Sequence, residues 1–211
     1  RLYVQEEDAS GCVRFVNRAP AAMAVPSRIR TVIVADWDND GYEEIFWNNI
    51  PGSNRLFRRL PTDDDWVQVH AGDAEDAGGY GTGAGVGDFD GDGRLELLVS
   101  HGESSAQPLS YFHPAADNGN HWIRIFPKTS QGAPARGALV VLVAGGRRQT
   151  RVIDAGSGYL CQQEPIAHFG LGALTAVQTV TVTWPDGVEH NLGALAIDRV
   201  HVVPKPTGVA P

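Results

Sequence analysis

Apolar positions along this chain come in short runs separated by Gly, Pro and Asp, and several alternate strictly with polar ones. Residues 177–184 read Val-Gln-Thr-Val-Thr-Val-Thr-Trp, the period-two pattern of a half-buried strand, and Pro185-Asp186-Gly187 turns it. Residues 31–35, 45–47 and 95–99 are short β-branched, aliphatic and aromatic runs, which predict strands. Residues 138–143 lead into Gly145-Gly146, a hairpin signal, and residues 149–153 return as the next strand. No segment carries a sustained helical period, so the expected class is all-β.

Two acidic stretches interrupt these strands. The first is Asp36-Trp37-Asp38-Asn39-Asp40-Gly41-Tyr42-Glu43-Glu44, the second Asp88-Phe89-Asp90-Gly91-Asp92-Gly93-Arg94-Leu95-Glu96. Each has carboxylates at positions 1, 3, 5 and 9 and Gly at position 6. Carboxylates so crowded repel one another unless a cation lies between them, and hard oxygen donors suit Ca²⁺. A helix–loop–helix site needs Glu at position 12; Trp47 and Val99 stand there, and the flanks read as strands. The expected element is therefore a strand–cation loop–strand hairpin. Metal-free Asx turns are the bland alternative, weakened by the two loops sharing one register.

The first Asp residues of the loops are 52 positions apart, and the repetition extends beyond the acids. Arg1-Leu2-Tyr3-Val4 is echoed by Arg55-Leu56-Phe57-Arg58, and residues 13–16 by 65–69, each before an acidic loop. A period near 50 with about four strands per unit marks β-propeller blades. The unit resembles the FG-GAP repeat of integrin-α-type propellers. That resemblance implies two Ca²⁺ sites: Asp36, Asp38, Asp40 and Glu44 with the carbonyl of Tyr42, and Asp88, Asp90, Asp92 and Glu96 with the carbonyl of Arg94. The Gly-rich run 81–87 lacks the Gly-Lys-Ser/Thr of a phosphate loop and fits crowding near a propeller axis.

The C-terminal third loses its acid clusters. Its run GALVVLVAGGRRQTRVIDAGSGYLCQQEPIAHFGLG, followed by VTVTWPDG, resembles the ASPIC/UnbV domain. FG-GAP repeats followed by that domain resemble the C-terminal part of the cartilage acidic protein family. The resemblance implies an incomplete FG-GAP β-propeller of about two blades (residues 1–118), a small β-sandwich-like ASPIC/UnbV domain (119–205) and a tail (206–211). It further implies a secreted, extracellular or lumenal calcium-binding protein. The chain opens in mid-repeat without Met, so a fragment or a processed product is expected. Open blades leave strand edges unpaired, so a partner, upstream blades or the C-terminal domain is expected to cover them.

Composition adds limits. A net charge of −8 argues against nucleic acid as a partner, and two Ca²⁺ add four charges and bring it to −4. No apolar run approaches about 18 residues, so no membrane helix is expected. Cys12 and Cys161 form either a disulfide or two thiols; spacing leaves both open. His168 reads as a hydrogen-bonded turn or core residue rather than a catalyst. The Trp residues read as core, with Trp37 the first candidate for an exposed sugar or partner contact. With no nucleophile–base pair apparent, the expected function is a non-catalytic calcium-binding interaction or scaffold protein. A calcium-dependent carbohydrate- or matrix-binding module is the alternative, and an enzyme on a propeller scaffold is the least favoured.

Overall fold

The computed structural model describes residues 1–60, 65–102, 106–114 and 117–207; most of the expected tail lies outside them. Its regular elements are almost all β-strands, as the short alternating runs require. β1 (Tyr3–Glu7) and β2 (Val13–Asn17) form an antiparallel hairpin, followed by a one-turn helix, Ala21–Ala24. β3 (Ile29–Ala35), β4 (Glu44–Asn49), β5 (Arg55–Arg59) and β6 (Trp66–Val69) make a four-stranded antiparallel sheet in sequence order. β7 (Gly81–Gly87), β8 (Glu96–His101) and β9 (Ser110–Phe112) make the next. The hairpin β1–β2 precedes β3 as β5–β6 precedes β7, which accounts for the sequence echo.

The acidic stretches are the turns joining β3 to β4 and β7 to β8, so both are strand–loop–strand hairpins. Ile33, Ala35 and Phe46 of the first sheet share a core with Ala84, Leu97 and Val99 of the second. Met23, Ile45, Trp47 and Phe57 pack on the opposite face of the first sheet, which is why β4 is buried along its whole length. The Gly-rich run is the inner strand β7. Thr82 meets the first sheet through its carbonyl, which accepts from Thr31 Oγ1 (2.8 Å) and Asn48 Nδ2 (2.9 Å). Trp37 follows the core reading rather than that of an exposed contact: it is half-buried, edge-on to Phe46 at 6.3 Å, and packs against the shared core.

The remaining strands form a two-sheet sandwich. β10 (His121–Pro127) lies between β13 (Ala167–Gly172) and β16 (Val200–Val203), antiparallel to the first and parallel to the second. β11 (Leu139–Ala144), β12 (Arg147–Val152), β14 (Thr179–Thr183) and β15 (Glu189–Gly193) form the other sheet in the order β12-β11-β14-β15. Alternation delivers Val140, Leu142, Val180 and Val182 to a core with Ile123, Ile125 and Phe169, all fully buried. Each such side chain contributes about 1.5–3 kcal/mol by leaving water.

The sandwich covers one of the edges that the blades would otherwise expose. The segment 158–164 runs beside β7: Ala84 N–H donates to Gly158 O (3.1 Å), and Glu164 N–H to Val86 O (3.3 Å). Both cysteines are free; Cys12 is exposed at the β1–β2 turn and Cys161 lies partly buried in the covering segment.

Candidate metal centre

The first loop is wound around its own carboxylates. Asp36 Oδ2 accepts from Gly41 N–H (2.8 Å), Asp38 Oδ1 from Asp40 N–H (3.1 Å), Asp40 Oδ1 from Tyr42 N–H (2.7 Å) and Glu44 Oε2 from Trp37 N–H (3.0 Å). The second loop repeats this: Asp88 Oδ2 accepts from Gly93 N–H (3.1 Å), Asp90 Oδ1 from Asp92 N–H (3.1 Å), Asp92 Oδ1 from Arg94 N–H (2.8 Å) and Glu96 Oε2 from Phe89 N–H (2.7 Å). The winding needs left-handed residues at positions 4 and 6, supplied by Asn39 and Gly41 in one loop and Gly91 and Gly93 in the other.

After this internal bonding, Asp36 Oδ1, Glu44 Oε1 and Glu96 Oε1 are buried without a hydrogen-bond partner. Leaving an ionised oxygen so is expensive, and the pKa values register it. Burial, then Asp40 and Asp38, pushes Asp36 up to about 7; burial, then Asp38, pushes Glu44 up to about 9; burial raises Glu96 as well. Donor chemistry and orphaned oxygens thus fit a hard divalent cation, with Asp36, Asp38, Asp40 and Glu44 to hold one and Asp90, Asp92 and Glu96 to hold the other.

The two loops are not equivalent. In the first, oxygens of Asp36, Asp38 and Asp40 lie within 4.8 Å of one another. In the second the corresponding group is Asp90, Asp92, Glu96 and His113. Asp88 is drawn away: its Oδ2 also accepts from buried Arg124 Nη1 at 2.9 Å, and Arg124 reaches Glu164 as well. The position-7 residues expected to offer carbonyls, Tyr42 and Arg94, sit at the loop wall; Arg94 Nε pairs with Asp92 Oδ2 (2.7 Å) and the Tyr42 ring lies under Arg147.

Sequence reading missed two basic residues. Ile45 pairs with Phe57 across β4–β5, and Leu97 with Phe112 across β8–β9. The next residue is Arg58 in one blade and His113 in the other. Arg58 Nη2 lies 2.7 Å from Asp40 Oδ2 and 3.3 Å from Asp38 Oδ2. His113 Nε2 lies 3.1 Å from Asp90 Oδ2. Aligning the Phe residues of the third strands would have exposed this pair.

The sandwich grips the first loop from the other side. Asp36 Oδ2 accepts from Gly170 N–H (3.1 Å), and Asn39 O from Gly172 N–H (2.7 Å). Asn39 Oδ1 accepts from His168 Nε2 (2.6 Å), while its Nδ2 donates to Gly93 O in the second loop (3.0 Å). The His-Phe-Gly-Leu-Gly run of β13 is thereby the clamp on the acidic loop. Burial, then Arg124 and Arg151, pulls His168 down to about 3, so it sits neutral.

A Cβ on Gly170 would lie 2.2 Å from Asp36 Oδ2 and 2.5 Å from Asn39 backbone atoms. Gly170→Ala is expected to cost about 1–3 kcal/mol by overpacking, read from chemical denaturation.

Acid–base linkage supplies a second test. Asp36 and Glu44 have folded pKa values above the unfolded value of about 4, so their stabilising contribution is present at low pH and is lost as pH rises through about 7 and 9. His168 works oppositely: its folded value is depressed, and its contribution is lost as pH falls below about 6.5. Above pH 7 only the carboxylate effect remains. In chelator the chain should lose about 1 kcal/mol per pH unit between pH 7 and 9, with Glu44→Gln flattening the slope. Melting curves across that range check it.

Paired acid-loop hairpins in successive blades, gripped by a β-sandwich, define a propeller-type repeat protein with a C-terminal sandwich domain. Comparisons with known proteins agree. The family described as FG-GAP-like repeat matches residues 36–99, and the one described as ASPIC and UnbV matches 128–210. Cartilage acidic protein 1 of Homo sapiens is 51% identical over 210 residues, 95% of this chain and 32% of the relative. The Mus musculus protein of that name is 51% identical and that of Xenopus tropicalis 50%, each over 195 residues, 89% of this chain and 30% of the relative. The chain is thus similar to the cartilage acidic protein 1 relatives over most of its own length, and it spans about a third of the length of the curated relatives it matches.

Proposed function

We propose that the chain is a non-catalytic, calcium-stabilised interaction module of an extracellular-matrix-type protein. The observation that carries this is the set of buried carboxylate oxygens without a partner, Asp36 Oδ1, Glu44 Oε1 and Glu96 Oε1, at hairpin turns on which the sandwich domain rests. Two Ca²⁺ would neutralise these acids and lock blades and sandwich into one surface. The setting is extracellular, in keeping with the cartilage acidic relatives, and no helix among the described residues is long and apolar enough to cross a membrane.

A protein or matrix partner, or further blades, would take the β1–β2 hairpin. Its Tyr3 and Phe15 are 56% and 68% exposed, and a lone two-stranded sheet is marginal without cover.

Calorimetric titration tests the proposal. Two Ca²⁺ should bind per chain, with Glu44→Gln and Glu96→Gln each removing one. Unchanged stoichiometry in both variants would remove the assignment of these loops.

A further inference from the structure

We propose that the second loop is a mixed nitrogen–oxygen site, in which His113 joins Asp90, Asp92 and Glu96 to take a first-row divalent ion such as Zn²⁺, while the first loop remains an all-oxygen calcium site. This rests on the reading that both loops hold cations, and goes beyond it in making them chemically different.

The geometry begins with the strand register. His113 follows Phe112 as Arg58 follows Phe57, so the two side chains reach over their loops from equivalent places. One donor atom each from His113, Asp90, Asp92 and Glu96 falls within 4.8 Å of the others. His113 Nε2 is 3.1 Å from Asp90 Oδ2, 3.6 Å from Glu96 Oε1 and 3.7 Å from Asp92 Oδ2. Glu96 is 0% exposed, and the oxygen it turns toward the imidazole has no hydrogen-bond partner. That orphaned oxygen points to a ligand independently of the acid cluster.

The other ring nitrogen fixes what His113 offers. Nδ1 lies 2.7 Å from the Pro114 carbonyl, which only accepts, so Nδ1 carries the proton. In the neutral ring Nε2 then presents a lone pair to the carboxylates. This is how metal-ligating histidines are held, with the far N–H fixed by a carbonyl. A lone pair among carboxylate oxygens is favourable only with a metal ion or a proton between them, so a bound ion takes the place of an Nε2 proton shared with Asp90.

Arg58 cannot play this part. Its guanidinium is always charged and has donors but no lone pair, so it neutralises Asp40 without becoming a ligand. Ca²⁺ prefers oxygen donors. Adding an imidazole moves the preference toward Zn²⁺, which also stands above Mn²⁺ and Fe²⁺ in affinity for such sites. Asp90 and His113 are partly exposed, which leaves an entry path.

The test is Zn²⁺ titration of the full chain in saturating Ca²⁺, followed by calorimetry and by calcium release. One Zn²⁺ should bind and displace one of two Ca²⁺. His113→Asn should weaken Zn²⁺ by about tenfold or more, a larger factor than any change in Ca²⁺ affinity at the same loop. Arg58→Ala should leave Zn²⁺ affinity unchanged. Co²⁺ in place of Zn²⁺ should give a visible spectrum that changes in His113→Asn. Equal Zn²⁺ affinity in His113→Asn, or two Ca²⁺ bound with no Zn²⁺ uptake, would overturn the mixed site and leave the calcium reading intact. Uptake of neither ion would overturn both.

Discussion

Chelating calcium should lower the melting temperature of this chain by roughly 10–20 °C. A ligand present at a hundred times its dissociation constant stabilises by about 2.7 kcal/mol, and two sites double that. For a chain of this size each kcal/mol is worth about 2–4 °C. The molecular reason lies in the buried oxygens of Asp36, Glu44 and Glu96 that no hydrogen bond satisfies. Arg58 offsets part of the deficit of the first loop from the solvent side, yet it hydrogen-bonds none of those three atoms. Scanning calorimetry in calcium and in chelator reads the effect. Because the sandwich rests on the first loop through Gly170 and His168, both units should soften in the same transition.

Arg124→Ala should be the most damaging single substitution away from the loops, at about 3–5 kcal/mol. Arg124 projects from β10 into the junction with its side chain 4% exposed, against an Asp88 side chain that is fully buried. It also reaches Glu164, whose Oε2 accepts from the Asp88 N–H at 3.1 Å. Removing the guanidinium strands two carboxylates at the junction, one of them without water. Glu164→Gln should cost clearly less, since its side chain keeps 27% of its exposure and Asp88 keeps Arg124. Guanidinium denaturation of the two variants measures the ordering.

The acidic hairpins and the alternating strands were legible in the sequence because each is a local signal, the blades from a repeat of those signals, and the sandwich from a family resemblance. Alternation set Val180 and Val182 inward, and the loop acids fall where short-range turn chemistry puts them. What was not legible depends on contacts far apart in the chain. His168 meets Asn39 across 129 positions, and Gly170 meets Asp36 across 134. Asp88 has the same loop position as Asp36 but a different partner, because a sandwich strand brings Arg124 to it. His113 escaped notice because β-strand register, not sequence spacing, carries it to the loop.

The central claim is that both acidic hairpins are cation cradles around which blades and sandwich are assembled. A crystal structure grown in ample calcium tests it most directly. The account predicts a bound ion in each loop, with Asp36 Oδ1 and Glu44 Oε1 on one, Glu96 Oε1 on the other, and oxygen contacts of about 2.3–2.6 Å wherever the ion is Ca²⁺. Water alone in both loops, with the chain otherwise folded as described, would contradict it.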